Sequence, residues 1–547
     1  MARSYSDFLT GRYAALTNDP NRAAEAYSAA ASSNPNNRDI LERAVFSSLI
    51  SGNVDNAIIV SKRARTDTLD STDLPRLVLG VDALSKKRGA EKATGYFDGA
   101  MGSQFNGMLA NALLAWSIYG TEGIESAERA LLKTESADPL INGLQRTNLA
   151  LLKIRNGDDE EALEILDEIW MSGIRLAVAT EHQARLLDAA GQTDDAVDLL
   201  ETFSLNVGQN AAIDSLLEQI QSGRSVEVRR PSLQEGAALA VYIPAAALAV
   251  RAGDDLASVY FTLALHLDPE LHVAKTLWAD ALDQANRRQD AMVILDSVPE
   301  TSVFYATAQG QLAWIHRREG LNEESLAIAE TALSARPDRN LKIQLGDLFR
   351  SLGRYEDAEQ VFSEIIANDT EKGLTDWRLL YARGAAREQL QKWPRAEADL
   401  LAALELAPEQ PSLLNYLGYS WIDRGENLEK GFEMIQRAVD LRPDAGYIID
   451  SLGWAYYRLG RYEEAVEQLE RAVALEPGEA VLNDHLGDAY WRVGRHLEAT
   501  FQWSRAIQLD PESQGTELLH AKVENGLDDA AATVAANNAL PDGSVSP

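Results

Sequence analysis

Residues 451–477 read SLGWAYYRLGRYEEAVEQLERAVALEP, and residues 485–511 read HLGDAYWRVGRHLEATFQWSRAIQLDP. The second stretch restates the first 34 residues later, with small, apolar and charged positions in the same order. With Gly446 as position 1, positions 7, 8 and 11 are Leu452, Gly453 and Tyr456, and position 15 is Gly460. Positions 20, 24, 27 and 32 are Ala465, Leu469, Ala472 and Pro477. The unit starting at Ala480 supplies Leu486, Gly487, Tyr490, Gly494, Ala499, Trp503, Ala506 and Pro511 at those places. The spacing predicts two antiparallel helices per unit. Gly at position 8 and Ala at 20 and 27 let the helices cross closely, while positions 7, 11 and 24 fill the space between them. Gly near position 15 permits the turn, and Pro at 32 stops the second helix. One such unit cannot bury its apolar face alone, so the pattern must be stacked.

This unit resembles the tetratricopeptide repeat, a helix–turn–helix of the same period. Upstream the pattern continues with falling fidelity. The unit from Pro411 keeps Leu417, Gly418, Trp421 and Gly425, then inserts one residue before Ala438 and Pro443. The unit from Trp377 keeps Gly384, Ala396, Leu400, Ala403 and Pro408, and those from Arg339, Ala306 and Ala238 remain recognisable. Looser units begin at Gly143 and Ala177, and at Tyr5 and Arg38. The expected fold is all-α, an α-solenoid or superhelix of about 14 helix-pair units. More narrowly, 411–513 resembles large tetratricopeptide proteins of Gram-negative, alphaproteobacterial species that are exported to the envelope. That resemblance implies a scaffold for partner proteins and no enzymatic activity.

Two segments interrupt the repeats. QSGRSVEVRRPSLQ, at 221–234, carries three arginines and a β-branched run. It reads as a junction between an N-terminal degenerate superhelix at 1–220 and a C-terminal superhelix at 235–513. After the last repeat, 514–527 reads as a capping helix and 528–547 as a disordered tail.

Composition suits such an array: of 547 residues, 46% are apolar and only 17 are proline. The net charge of −33, from 84 acidic against 51 basic residues, argues against nucleic acid and anionic lipid as partners. Cysteine is absent, which removes disulfides, thiolate catalysis and cysteine-based zinc sites. It also suits an oxidising compartment. No run reaches the roughly 20 apolar residues of a membrane span. The opening MARSYSDFLTGRYAAL enters a helical pattern without a signal-peptide hydrophobic region. The expectation is a periplasmic or envelope protein whose signal peptide is missing from this chain, with a cytoplasmic protein as the alternative.

Catalytic spellings for phosphate loops, dinucleotide folds, zinc proteases and nucleophile elbows are missing. Asp484, His485 and Asp488 cluster on one helix, but His485 points about 100° away from Asp484 there. A solvated acidic face is the reading, and no metal or cofactor is expected. The acidic runs 158–161, 194–195 and 463–464 follow turn glycines, where carboxylates meet the positive end of a helix dipole. They read as structural.

In tetratricopeptide arrays, positions 2, 5, 9, 12 and 13 of each first helix line the concave groove. Those positions hold Asn415, Tyr419 and Asp423 in the unit from Pro411, together with Ser412 and Ile422. They hold Tyr447, Asp450, Trp454, Tyr457 and Arg458 in the next, then Val481, Asp484, Asp488, Trp491 and Arg492. Rigid aromatics and arginine are enriched at binding hot spots. From these, Asn415, Tyr419, Tyr447, Asp450, Trp454, Tyr457, Arg458, Asp488, Trp491 and Arg492 are assigned to partner binding. The competing reading is that the aromatics pad a tightly wound superhelix. Asp450 and Asp484 at position 5 would repel a partner's terminal carboxylate, so a basic or aromatic-apolar peptide or helix is expected. The expected function is a non-enzymatic protein-interaction scaffold. The alternative is an assembly or regulatory subunit docked through its convex face and N-terminal superhelix.

Overall fold

The computed structural model describes residues 2–98, 100, 104–133, 138–249, 255–511 and 515–530. The described residues form helices joined by short turns, with no strand among them. None of these helices is long and apolar enough to cross a membrane. The architecture is the all-α helix-pair solenoid that the repeat spacing implies.

The small positions behave as their chemistry requires. A Cβ added at Gly453 would lie 2.6 Å from Leu469 Cγ, and one at Gly487 would lie 2.5 Å from Trp503 Cδ1. Ala465, Ala472, Ala499 and Ala506 are fully buried in the same crossings. Gly460 and Gly494 adopt φ of +76° and +80°, the left-handed conformation that the inter-helix turn needs. Gly453→Leu should therefore cost about 1–3 kcal/mol by overpacking. Denaturant unfolding read by tryptophan fluorescence checks this, and a variant as stable as the parent would show slack at the crossing. The acidic runs fall in first turns of helices, as expected: Asp159, Glu160 and Glu161 in Asp159–Met171, and Glu463 and Glu464 in Tyr462–Leu475.

Two compact units divide the chain at Leu341 and Lys342. The expected junction at 221–234 lies inside the first of these units. The reason is the helix pair that follows it. Leu233–Ala249 is apolar almost all round, a pattern that demands burial on every side. It and Asp255–Leu267 pack against the N-terminal helices Arg38–Ile50, Leu74–Leu84, Gln104–Glu122 and Pro139–Asn156. Gly236 sits under the fully buried Trp116, whose ring would be 2.0 Å from an added Cβ. Thr262 Oγ1 donates to the Leu49 carbonyl at 2.8 Å, and Gln234 Nε2 to that of Leu84 at 3.1 Å. The junction itself is pinned: Arg230 makes a bidentate pair with Asp159 at 2.7 and 2.8 Å, and Arg155 donates to the Pro231 carbonyl at 2.6 Å. One apolar core consequently runs through the first unit, from Ala14 to Ile315.

The second unit stacks regular helix pairs, and its helix Thr516–Asn525 lies within the expected 514–527 segment. Residues 531–547 of the expected tail lie outside the described residues. Asp528, at the tail's start, is ordered against the last repeat.

Candidate functional site: an aromatic helix face in the second unit

The mapped groove positions lie on the first helices Trp377–Gln389, Pro411–Arg424, Gly446–Arg458 and Ala480–Arg492. Trp454 is half-buried and sandwiched: its ring stacks on Tyr457 at 4.8 Å and on His485 at 4.3 Å. His485 Nδ1 lies 3.0 Å from both carboxylate oxygens of Asp450. Burial works against the imidazolium, but the Asp450 carboxylate outweighs it and holds the His485 pKa above its ordinary value. The dismissed histidine therefore bridges two repeats, through Asp450 of the preceding unit and not through Asp484. Among the described residues no group of side chains could hold a metal ion.

Upstream, Tyr381 and Tyr416 meet edge to face at 5.2 Å. Tyr419 is largely buried, and burial, followed by Asp423 and Asp450, pushes its hydroxyl up to about 12. Arg458 pairs with Asp423 at 2.9 Å, and Tyr447 is 44% exposed. Two buried polar atoms on these helices have no hydrogen-bond partner among the described residues: Asn415 Oδ1 and Trp454 Nε1. One is a spare acceptor on Pro411–Arg424, the other a spare donor on Gly446–Arg458.

The last repeat differs. Lys522, from the capping helix, reaches Asp484 Oδ1 at 2.6 Å and Asp488 Oδ1 at 2.8 Å. Asp488 also accepts from Trp503 Nε1 at 2.9 Å. Trp491 stacks on His496 at 4.1 Å and donates to Asp528 Oδ2 at 3.1 Å. Gly526 passes so close over that ring that an added Cβ would fall 2.4 Å from Trp491 Cη2. Arg492 donates to Tyr457 Oη at 3.2 Å and to Asp528 Oδ1 at 2.6 Å. Of the sequence-assigned residues, Trp454 and Tyr457 stack on each other, Asp450 meets His485 and Arg458 meets Asp423, whereas Asp488, Trp491 and Arg492 are engaged by the chain's own C-terminal segment. Ile422, mapped to the groove by position, is fully buried in the core.

Tetratricopeptide repeat models match residues 311–372, 381–446 and 448–479. A stretch of 150 residues is 29% identical to the TPR repeat-containing protein PA4667 of Pseudomonas aeruginosa, over 27% of this chain and 25% of that protein. Another of 175 residues is 30% identical to the BBSome complex member BBS4 of Bos taurus, over 32% of each. The chain therefore spans about a quarter and a third of the lengths of these curated relatives. Among solved structures, the APC/C hetero-tetramer Cut9–Hcn1 aligns over 96% of this chain and 97% of that one, at 14% identity and a TM-score of 0.40.

Within the tetratricopeptide frame, sequence reasoning missed Tyr381 and Glu388, the latter hydrogen-bonded to Tyr416, because the positional map stopped at Pro411; it missed Tyr416 because position 6 is not among the mapped positions. Carried one unit upstream, it places Tyr381 at position 5 and Glu388 at position 12. It also missed Lys522 and Asp528, for which the repeat pattern offers no signal.

Proposed function

We propose that the second unit is a non-enzymatic protein-interaction module whose aromatic face, from Tyr381 to Arg458, receives a basic or aromatic-apolar peptide or helix. The observation that carries this reading is the exposed ring of Tyr447, on the same helix as the stacked rings of Trp454 and Tyr457. Rigid aromatic side chains are common anchors for a partner. With Asp423 paired to Arg458 and Asp450 to His485, Glu388 adds a further carboxylate on these helices, which favours a cationic partner. The absence of cysteine, and the likeness of 411–513 to exported alphaproteobacterial repeat proteins, support a periplasmic or envelope site of action. Separating periplasm from cytoplasm and blotting for the chain tests that location.

A peptide array varying in net charge and aromatic content tests the module. Basic, aromatic-containing peptides should bind, and acidic ones should not. Tyr447→Ala combined with Trp454→Phe keeps the central stack but removes the exposed ring and the spare donor. It should weaken binding at least about tenfold, with the melting temperature within a few degrees of the parent. Equal binding by this variant would return the aromatics to a packing role.

A further inference from the structure

A separate concavity lies in the first unit and encloses about 360 Å³, within the size range of small-molecule pockets. Its walls are Ala177–Ala189, Ala211–Gln221, the start of Leu233–Ala249, and the turns at 268–273 and 301–304. The arginine-rich segment at 221–234 closes one side through Arg229 and Pro231. That segment therefore does more than link two helices.

His182 lines this space although only 4% of it is exposed. Its Nδ1 lies 2.9 Å from the Val178 carbonyl oxygen one turn back, so Nδ1 carries the proton and Nε2 is an acceptor. That Nε2, on the far edge of the ring, has no hydrogen-bond partner among the described residues. Burial, the dominant influence, holds the imidazole pKa below its ordinary value and keeps the ring neutral. A buried acceptor without a donor is costly, and a donor on a bound molecule would satisfy it.

The surrounding charge has a sign. Glu181, Glu235, Asp268 and Glu270 line the space against Arg185 and Arg229. Arg185 is committed to Glu181 at 3.0 Å, and Arg229 stands 3.7 Å from Glu235. Asp268 accepts from the Glu270 amide at 3.0 Å and has no cation in contact. The rest of the wall is mixed: Leu216, Leu239 and Phe304 are apolar, whereas Ser215, Gln219 and His272 are polar. The acidic rim alone would single out no ligand. The orphaned acceptor, set in a space with apolar surface beside it, does.

We propose that this cavity binds a small cationic amphiphile, a ring-sized apolar body bearing an ammonium group whose N–H donates to His182 Nε2. The site is independent of the aromatic face in the second unit.

Calorimetric titration of the full chain with 2-phenylethylamine, 2-phenylethanol and phenylacetate tests it, since the three share one apolar body. Saturable binding of the amine is expected, with the alcohol weaker by roughly tenfold, about the worth of one charge-assisted hydrogen bond, and the carboxylate weaker still. His182→Phe should weaken amine binding by roughly tenfold or more without lowering the melting temperature. Should that variant misfold, Val303→Trp fills the cavity from a 37% exposed position on its rim and should abolish binding. Phenylacetate binding as tightly as the amine would overturn the cationic assignment. Amine binding unchanged in the folded variants, or no saturable binding by any probe, would overturn the site.

Discussion

Lys522→Ala is expected to destabilise the end of the second unit by about 3–5 kcal/mol at pH 7, because removing one partner leaves buried charge uncompensated. The Lys522 side chain is only 6% exposed and touches two carboxylates, Asp484 and Asp488. Burial alone would push its ammonium down, but Asp488 and Asp484 overcome that and hold its pKa above the ordinary value. The contribution is therefore complete across the neutral range and is lost only as pH rises through the folded pKa. Asp488 is already raised, by burial and then by Asp484, with Lys522 opposing both. Removing the lysine raises it further. A raised carboxyl is most at ease when protonated, so the gap between variant and parent should narrow as pH falls toward 4. Hydrogen exchange of amides 480–525, followed at pH 7 and pH 5, reads this directly. Exchange unchanged at pH 7 would mean the cap is held by Leu519 and its apolar neighbours alone. The functional corollary is that freeing the cap uncovers Trp491 and Arg492, which would extend the aromatic face by one repeat.

Glu42→Gln is expected to stabilise the first unit by about 3 kcal/mol at pH 8 and to be neutral below pH 4.5. Burial raises the Glu42 carboxyl from 4.5 to about 7, with Asp73 and Asp39 adding to it and Arg38 and the Asp73 amide opposing. At about 1.4 kcal/mol for each pH unit, ionising this buried group costs the folded state about 3 kcal/mol. The folded state binds the proton more tightly than the unfolded chain. Stability from this group is thus fully present below 4.5 and is lost as pH rises through about 7. Glutamine keeps an oxygen to accept the Asp73 amide, now at 3.2 Å, and carries no charge to desolvate. Thermal unfolding of parent and variant at pH 5 and pH 8 separates the two. A variant less stable than the parent at pH 8 would show that Arg38 holds the ion in place.

Legibility in this chain follows the distinction between local and distant partners. The repeat unit was readable because its determinants lie within 34 residues of one another: Gly453 against Leu469, Gly487 against Trp503, and turn glycines Gly460 and Gly494. Sequence also marked the aromatic positions of the groove, since a helix repeats its faces by arithmetic. It could not show that Trp491 is covered, because the cover is Gly526 and Asp528 of a segment outside the repeat. Nor could it show that His485 faces Asp450, a contact between successive units.

The amino-acid sequence by itself determined the class of fold, its helix-pair unit and the residues offered on each first helix. These depend on short-range sterics and on period. Only the tertiary structure decided where the units divide, which offered residues stay open, and that 221–234 walls a cavity. Those outcomes depend on contacts such as Gly236 with Trp116 and Thr262 with Leu49, made between residues far apart in the chain. Their burial is settled by what happens to pack against them, which no local spacing encodes.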